Sequence, residues 1–315
     1  MLRRIANHLF WSARYLERAE WRARLVDVHY HLLIESPPHA TEPWAPLLAI
    51  TGESEAFARC YREADERSVL DFFTFDADNP SSIRRCIDAA RDNARALRHR
   101  ISSELWLELN TLYLDAQTWS PAVLGEAGVF GFFAELKDRF YRVAGIVDGT
   151  LPRDLGYEFM TVGKLLERNE NVTRLLDVKY HYLLPRAEDV GGPIDLLQWA
   201  AVLRSASALE AYRRVYGNAI AVDRVVELLL FDPTFPRSAR FCVDRLVGAL
   251  RRIGMHNPTP SAAVPPLPTE ELATMLSTGG ASEVIAGALH EFLLAVQDQC
   301  ASIGTTVFDD YLRFE

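Results

Sequence analysis

The 315-residue chain has only four cysteines, Cys60, Cys86, Cys242 and Cys300, and no two of them form a C-x-x-C pair. This scarcity argues against a structural zinc site, and a disulfide framework is not expected in a chain of this length. Buried free thiols in a reducing compartment are the expected state of these residues. Apolar runs are also short, and none approaches the ~18 residues of a membrane-spanning helix.

Glycine-rich phosphate loops and nucleophile motifs are missing as well. None of the 17 glycines cluster in a phosphate-cradling loop, and the chain has no G-x-S-x-G, no P-loop and no G-x-G-x-x-G. We therefore expect neither ATP binding through a familiar motif nor a bound cofactor.

Positive charge is not in excess. The chain has 34 Lys and Arg against 43 Asp and Glu, which gives −9 at pH 7. This balance gives no electrostatic footprint for nucleic acid or for an anionic membrane, and neither is expected as a partner. The N-terminal segment lacks the apolar core and the cleavage site of a secretory signal, so we expect a soluble, cytoplasmic protein.

Helical periodicity, by contrast, is abundant. Apolar residues make up 49% of the chain, and they recur at helical spacing almost throughout, so the sequence predicts an all-α fold. Pro37, Pro80 and Pro185 mark helix boundaries. Helices are predicted over residues 2–35, 43–73, 81–112, 130–147, 155–184, 194–231, 237–253, 269–276 and 281–302, with loops at 117–128 and 255–271 and a break near Asn218.

The chain also repeats itself. Residues 12–33 and 162–183 are identical at eleven of twenty-two positions with an offset of 150, and residues 75–88 match 231–244 at an offset of 156. Between these segments Trp44 falls over Trp199. Three colinear matches indicate a duplication. We therefore predict a helical bundle made of two diverged copies of one helical unit, residues 1–153 and 154–315, which together form one double-repeat domain.

A polar stripe on the first helix of each copy is the main candidate site. At 3.6 residues per turn the repeated ionisable residues share an arc of about 80° on the helix. In the first copy these residues are Glu17, Glu20, Arg24, Asp27 and His31, and in the second copy they are Glu167, Glu170, Arg174, Asp177 and His181.

Several interpretations of this stripe remain open. A solvated helix face would have drifted after duplication. A buried salt-bridge network would pair Arg24 and Arg174 with the carboxylates of the opposite copy. A di-metal site is a further alternative, although the Asp-x-x-x-His spacing departs from Glu-x-x-His and an arginine beside a dication is unfavourable. We expect inward-pointing arginines and no bound metal. The carboxylates and histidines are also candidate catalytic residues, because such groups perform acid–base chemistry.

A second motif is a turn that leads through a proline into a helix in each copy. Serine near a helix start predicts a cap, and a helix N-terminus also attracts anions. The residues that form either a cap or an anion site are Ser82, Arg84, Arg237, Ser238 and Arg240. Arg91, Arg95 and Arg98 follow on the next helix, either in solvent or as partners of the polar stripe.

These segments resemble the alpha-E family. The opening LFWSARYLERAEWRARLVDVHYHLL is similar to its signature, and the later blocks NPSSIRRCIDAARDNARALR, ISSELWLELN, GTLPRDLGYEFMTVGKLLERNE and LLLFDPTFPRSARFCVDRL are similar to its other motifs. The similarity spans nearly the whole chain. Asn169 and Asn171 depart from the first copy, which has Ala19 and Trp21.

The resemblance implies a setting more than an activity. Members of the family are thought to be encoded or fused with circularly permuted ATP-grasp ligases and transglutaminase-like proteins. The implied role is that of a helical partner or scaffold of an ATP-grasp amide ligase in small-peptide synthesis or processing. The alternative is an enzyme that uses paired glutamates for acid–base chemistry on a peptide or amino-acid substrate.

Overall fold

The computed structural model describes residues 3–35, 43–181, 191–256 and 266–313, and within these ranges it contains helices and no β-strand. The predicted all-α fold is confirmed. The helices of the first part of the chain are α1 (Arg3–Glu35), α2 (Ala45–Thr51), α3 (Ser54–Cys60), α4 (Glu66–Thr74), α5 (Ile83–Ala96), α6 (Ser103–Thr118), α7 (Pro121–Ala127) and α8 (Val129–Thr150).

The second part of the chain follows with α9 (Leu155–His181), α10 (Pro193–Ser205), α11 (Leu209–Tyr216), α12 (Val222–Val226), α13 (Ala239–Met255), α14 (Leu267–Thr278), α15 (Ala281–Gly287) and α16 (Leu289–Val307). Two short π-helical segments, Glu227–Phe231 and Phe308–Leu312, extend α12 and α16.

The chain forms two compact units. The first comprises Met1–Asp27, Ala56–Lys164 and Phe308–Glu315, and the second comprises Val28–Glu55 and Leu165–Val307. Helices α1 and α9 therefore each contribute residues to both units. The domain boundary at 153/154 comes from sequence matching alone and stays a prediction.

Local caps break several helices that the periodicity predicts as continuous. The 43–73 stretch is three helices, because Gly52 adopts a left-handed φ of 71° at the end of α2 and Asp65 caps α4. The prediction of one continuous helix over 81–112 is also wrong, because two helices are present. The first ends at Ala96, and Ser102 accepts a hydrogen bond from the Leu105 N–H at the start of α6.

Two further corrections concern 117–128 and 194–231. The predicted loop contains α7, which begins at Pro121, a residue suited to the first helical turn. The predicted break near Asn218 is present between α11 and α12, but a second break follows Ser205, where Ser207 has φ of 52°. Pro37, Pro185 and residues 257–265 lie outside the described residues.

The first unit is built around α1, which packs backbone against backbone on α9. A Cβ at Gly163 would lie 2.3 Å from the carbonyl oxygen of Phe10, so only glycine permits this approach. Close by, Leu9, Ala13, Leu97 and Met160 form a buried cluster. The cluster joins the start of α1 to the turn after α5 and to α9.

Helix α1 has an unusual central stretch. The eleven residues from Ala19 to His29 are all buried, although they include charged side chains. A surface helix normally keeps one polar face in water. No face of this stretch is in water, so its charges must find partners inside the protein.

Candidate functional site

The polar stripe of the first copy is buried. Glu17, Glu20, Arg24 and Asp27 are each only 5–7% exposed. A solvated helix face is therefore not what these residues form. Ionised groups taken out of water are stable only where opposite charges and hydrogen bonds replace the lost hydration.

Arg24 supplies part of that compensation from within the stripe. Its guanidinium forms an ion pair with Glu20, one helical turn earlier, and lies 5.6 Å from the centre of the Tyr141 ring on α8. The cation thus meets a carboxylate and an aromatic face together, which suits a buried guanidinium.

Asp27 is neutralised from another helix. The Nζ atom of Lys137 on α8 donates a hydrogen bond to Oδ2 of Asp27 at 2.5 Å. Sequence reasoning missed Lys137, because nothing in the period of one helix indicates which distant side chain packs against it. Its position at a half-buried site in an otherwise apolar helix face is the only local signal.

The stripe of the second copy is less uniform. Glu167 is 3% exposed, whereas Glu170, Arg174 and Asp177 are half-buried. The guanidinium of Arg174 lies near Gly52, where a Cβ would be 3.1 Å from Nη1. The predicted pairing of Arg24 and Arg174 with the opposite copy's carboxylates stays a prediction.

Asp177 has a histidine partner. Oδ1 of Asp177 lies 2.6 Å from Nδ1 of His290 on α16. The hydrogen bond with this carboxylate raises the pKa of His290 above its ordinary value. Both side chains keep some exposure to solvent, so this acid–base pair is accessible to small solutes.

The two histidines that end the stripes are less well defined. His31 is half-buried on the last turns of α1. His181 ends α9, and its side chain lies outside the described residues.

His29 and Lys179 are matched by the sequence offset of 150, and both are buried. The His29 ring lies 5.3 Å from the Trp44 ring, and Nζ of Lys179 lies 5.1 Å from the Trp199 ring. His29 Nε2 donates to the Pro43 carbonyl at 2.7 Å, yet burial lowers the His29 pKa to about 4. Lys179 instead bonds Asp195 at 2.6 Å, and burial lowers its pKa.

The two proline-led turns have the same local geometry. Ser82 accepts a hydrogen bond from the Arg85 N–H and donates one to the Asp76 carbonyl at 2.7 Å. Ser238 makes the corresponding bonds to the Phe241 N–H at 3.0 Å and to the Asp232 carbonyl. Both serines cap helices, and their hydroxyls are engaged by backbone groups.

The arginines that accompany these caps turn to protein partners. Arg84 donates to Gln117 at 3.3 Å, and Arg240 donates to the Phe231 carbonyl at 3.4 Å. Arg237 is half-buried and also has an interaction partner. These contacts describe a capped turn more closely than a prepared anion site.

The donor geometry bears on the metal alternative. In the described ranges, no three or more His, Cys, Asp or Glu side chains converge closely enough to hold a metal ion.

Asn169, which stands where the matching position of α1 has Ala19, is 1% exposed, and its Nδ2 lies 2.8 Å from Sγ of Cys300 on α16. The second copy thus places a polar amide contact near its stripe.

A search of the described helices finds none that combines the length and apolar character needed to cross a bilayer.

Comparison with known proteins adds the family context. A family model described as a predicted alpha-helical domain with a conserved ER motif matches residues 1–312. In this chain, the Glu-Arg pairs Glu17–Arg18 and Glu167–Arg168 lie at the start of the two polar stripes.

The chain is 28% identical over 267 residues to an uncharacterized protein of Mycobacterium bovis and to uncharacterized proteins from two strains of Mycobacterium tuberculosis. Each alignment covers 79% of this chain but only 29% of the relative. The chain therefore spans less than a third of the length of the curated relatives it matches. No solved structure matches it.

Proposed function

The chain belongs to the Alpha-E family, and on that premise we propose that it is a helical partner or scaffold of an ATP-grasp amide ligase in small-peptide synthesis or processing. The type of partner comes from the resemblance set out above, which also implies a transglutaminase-like protein as a second partner, and we propose a cytoplasmic location as expected from the sequence. The chain would position the ligase or its product rather than bind ATP itself.

One observation carries the scaffold role. The mycobacterial relatives extend far beyond the matched region, which makes up 29% of their length. The helical domain is thus joined in those proteins to a much larger additional part. A domain that occurs attached to other modules is expected to contact such modules, whether they are linked to it or separate.

The chemistry of the first stripe fits the same role. Asp27 and Glu20 are buried and engaged by Lys137 and Arg24. Carboxylates held in this way fix helix register and are poorly placed to exchange protons with a substrate.

We also propose that the fold arose by internal duplication. The order of helices α1–α8 parallels that of α9–α16, and the capped turns at Ser82 and Ser238 make the same bonds. The aromatic contacts of His29 and Lys179 are likewise equivalent. Superposition of residues 1–153 on 154–315 in an experimental structure tests this, and halves that follow different paths would refute it.

Co-purification is the direct test of the scaffold role. The circularly permuted ATP-grasp ligase of the same genome, expressed with an affinity tag, should retain this chain at a fixed stoichiometry. Peptide-bond formation by the ligase should rise when the chain is added. A ligase of full activity that never binds the chain would contradict the proposal.

The Asp177–His290 pair favours a second candidate, an enzyme performing acid–base chemistry. The pair is partly exposed, and the carboxylate orients the imidazole through Nδ1, an arrangement typical of an acid–base histidine. Peptide or amino-acid turnover by the isolated chain, lost in both Glu167→Gln and His290→Gln, would support this candidate. Turnover that requires the ligase would favour the scaffold.

A further inference from the structure

Basic charge is concentrated on α5 and the turn that follows it. Residues 83–100 contain six arginines and two aspartates, whereas the whole chain has a formal net charge of −9 at pH 7. Arg84, Arg91 and Arg95 lie within an arc of about 40° on the helix. This arc adjoins α6, where Gln117 receives a hydrogen bond from Arg84 at 3.3 Å.

Aromatic side chains of α6 hold two of these arginines in place. The Arg91 guanidinium lies 4.5 Å from the centre of the Tyr113 ring and 5.4 Å from that of Trp106, and Arg98 also lies 5.4 Å from Trp106. The N–H groups of Arg91 donate hydrogen bonds to Asn110 and to the neighbouring Asp92. It therefore serves as the fixed base of the cluster.

Arg95 and Arg98 differ from Arg91 in having open donors. Both are exposed, and in the part of the chain that the structure describes neither guanidinium has an ion pair or a hydrogen bond. The Arg98 guanidinium lies over the Trp106 ring, and a guanidinium binds carboxylates through its in-plane N–H groups. Among the described residues, no hydrogen bond or ion pair joins either arginine to the polar stripe.

Exposed apolar side chains lie on α6, beyond the aromatic residues that the arginines contact. Leu107 and Leu114 are 66% and 55% exposed. They are seven residues apart on α6 and so lie on one side of it, about 100° round the helix from Trp106 and Tyr113. A basic row on α5 and an apolar row on α6, with the aromatic residues between them, can match one face of an amphipathic helix.

The second half of the chain keeps only part of this arrangement. At the offset of 156, Arg95 recurs as Arg251, which pairs with Glu270, whereas Val247 and Gly254 replace Arg91 and Arg98. A feature needed only for folding of the repeated unit would be expected in both halves.

We propose that the α5–α6 surface, formed by Arg91, Arg95, Arg98, Trp106, Leu107 and Leu114, docks an acidic amphipathic helix of the partner module. The inference rests on the proposed scaffold function and identifies where the partner binds. The arginines recognise carboxylates and the leucines recognise apolar residues on the same face of that helix. A polyanionic nucleic acid fits less well, because it offers no apolar row and the chain's net charge repels it.

A synthetic probe tests the surface alone. A fluorescein-labelled helical peptide with Glu and Leu along one face should bind the full chain, with an affinity that falls as salt rises. Arg95→Glu combined with Arg98→Glu should weaken binding at least about tenfold, and Leu107→Gln combined with Leu114→Gln should also weaken it. A peptide with Lys in place of Glu should not bind.

The matched control is Arg213→Glu with Arg214→Glu, on the exposed face of α11, which makes the same change in net charge and should leave binding unchanged. Circular dichroism and melting curves show whether each variant is folded. Peptide binding that survives R95E/R98E would overturn the surface. Tighter binding of a single-stranded oligonucleotide, lost in R95E/R98E, would overturn the proposed occupant.

The ATP-grasp ligase separates this inference from the proposed function. If the ligase binds the parent chain but does not bind the R95E/R98E variant, the docking surface is supported. If it binds both equally, the surface is wrong while the scaffold function stands. If it binds neither, the scaffold function fails, and the peptide titration alone decides whether this surface recognises an acidic helix.

Discussion

Asp27 and Lys137 form an ion pair with 2.5 Å between Oδ2 and Nζ, although they are 110 residues apart in the chain. Asp27 belongs to the buried part of α1, and Lys137 is on α8 with 23% of its side chain exposed. The contact ties α1 to α8 in the first unit and favours the register that brings these two charges together.

Removing the Lys137 cation should show how much this ion pair contributes to the free energy of unfolding. Lys137→Met leaves a buried carboxylate without its charge partner, and we expect the free energy of unfolding to fall by about 3 kcal/mol. Urea denaturation followed by circular dichroism measures this. Arg251→Met removes the exposed pair with Glu270 and should cost less than about 1 kcal/mol. Equal losses in the two variants would contradict a buried network.

His29 should make the protein sensitive to acid. Its folded-state pKa of about 4 lies below the ordinary 6.5, so the unfolded chain binds more protons between these values. Stability contributed by neutral His29 is present above pH 6.5 and is lost as the pH falls to about 4, by about 3 kcal/mol. His29→Gln keeps an N–H donor and should flatten this part of the stability profile. His99→Gln, at an exposed site, should leave it as in the parent.

His290 should act in the opposite direction. Its pKa is raised, so its contribution is fully present below pH 6.5 and is lost as the pH rises through the folded-state value. The stability difference between the parent and His290→Gln should therefore shrink as the pH is raised into the alkaline range. Asp177→Asn should remove the same dependence. A difference that stays constant with pH would show that the pair does not form.

Gly163 should not tolerate any side chain. Gly163→Ala places a Cβ 2.3 Å from the Phe10 carbonyl oxygen, and separating the two backbones should cost about 2 kcal/mol or more. Gly145→Ala is the control in α8, where nothing lies within 4 Å, and it should stabilise the helix by up to about 1 kcal/mol. Opposite shifts in melting temperature are expected. A melting temperature raised by Gly163→Ala would show that the helices are farther apart.

Helix content was predictable because apolar spacing is a local signal. The predicted limits of the first helix, 2–35, agree closely with Arg3–Glu35. The breaks at Gly52, Ser102 and Ser207 were not predicted, because a capped turn of a few residues barely disturbs the apolar period on either side. The cap at Ser82 can be predicted because a proline precedes it. The cap at Ser102 cannot, because that serine lies inside a continuing apolar helical pattern.

The candidate site divides in the same way. The helical period alone places Glu17, Glu20, Arg24 and Asp27 on one face, and burial of all four agrees with a structural network. Lys137 and His290 could not be found from the sequence, since their contacts depend on which helices pack together. Arg91 and Arg98 illustrate the same limit, because the pattern of α5 says nothing of the tryptophan on α6 that holds them.

The uninterrupted burial of Ala19–His29 has a consequence for how substitutions are tolerated along α1. In an ordinary amphipathic helix, tolerance rises and falls every three to four residues as positions alternate between core and water. Over these eleven positions that rhythm should vanish, and every site should be intolerant for its own reason: volume at Ala23, charge at Arg24, polarity at His29. On α5, which alternates buried and exposed residues, the rhythm should persist. In a saturation-mutagenesis profile, tolerance to substitution should therefore be uniformly low over Ala19–His29 and should rise and fall periodically along α5.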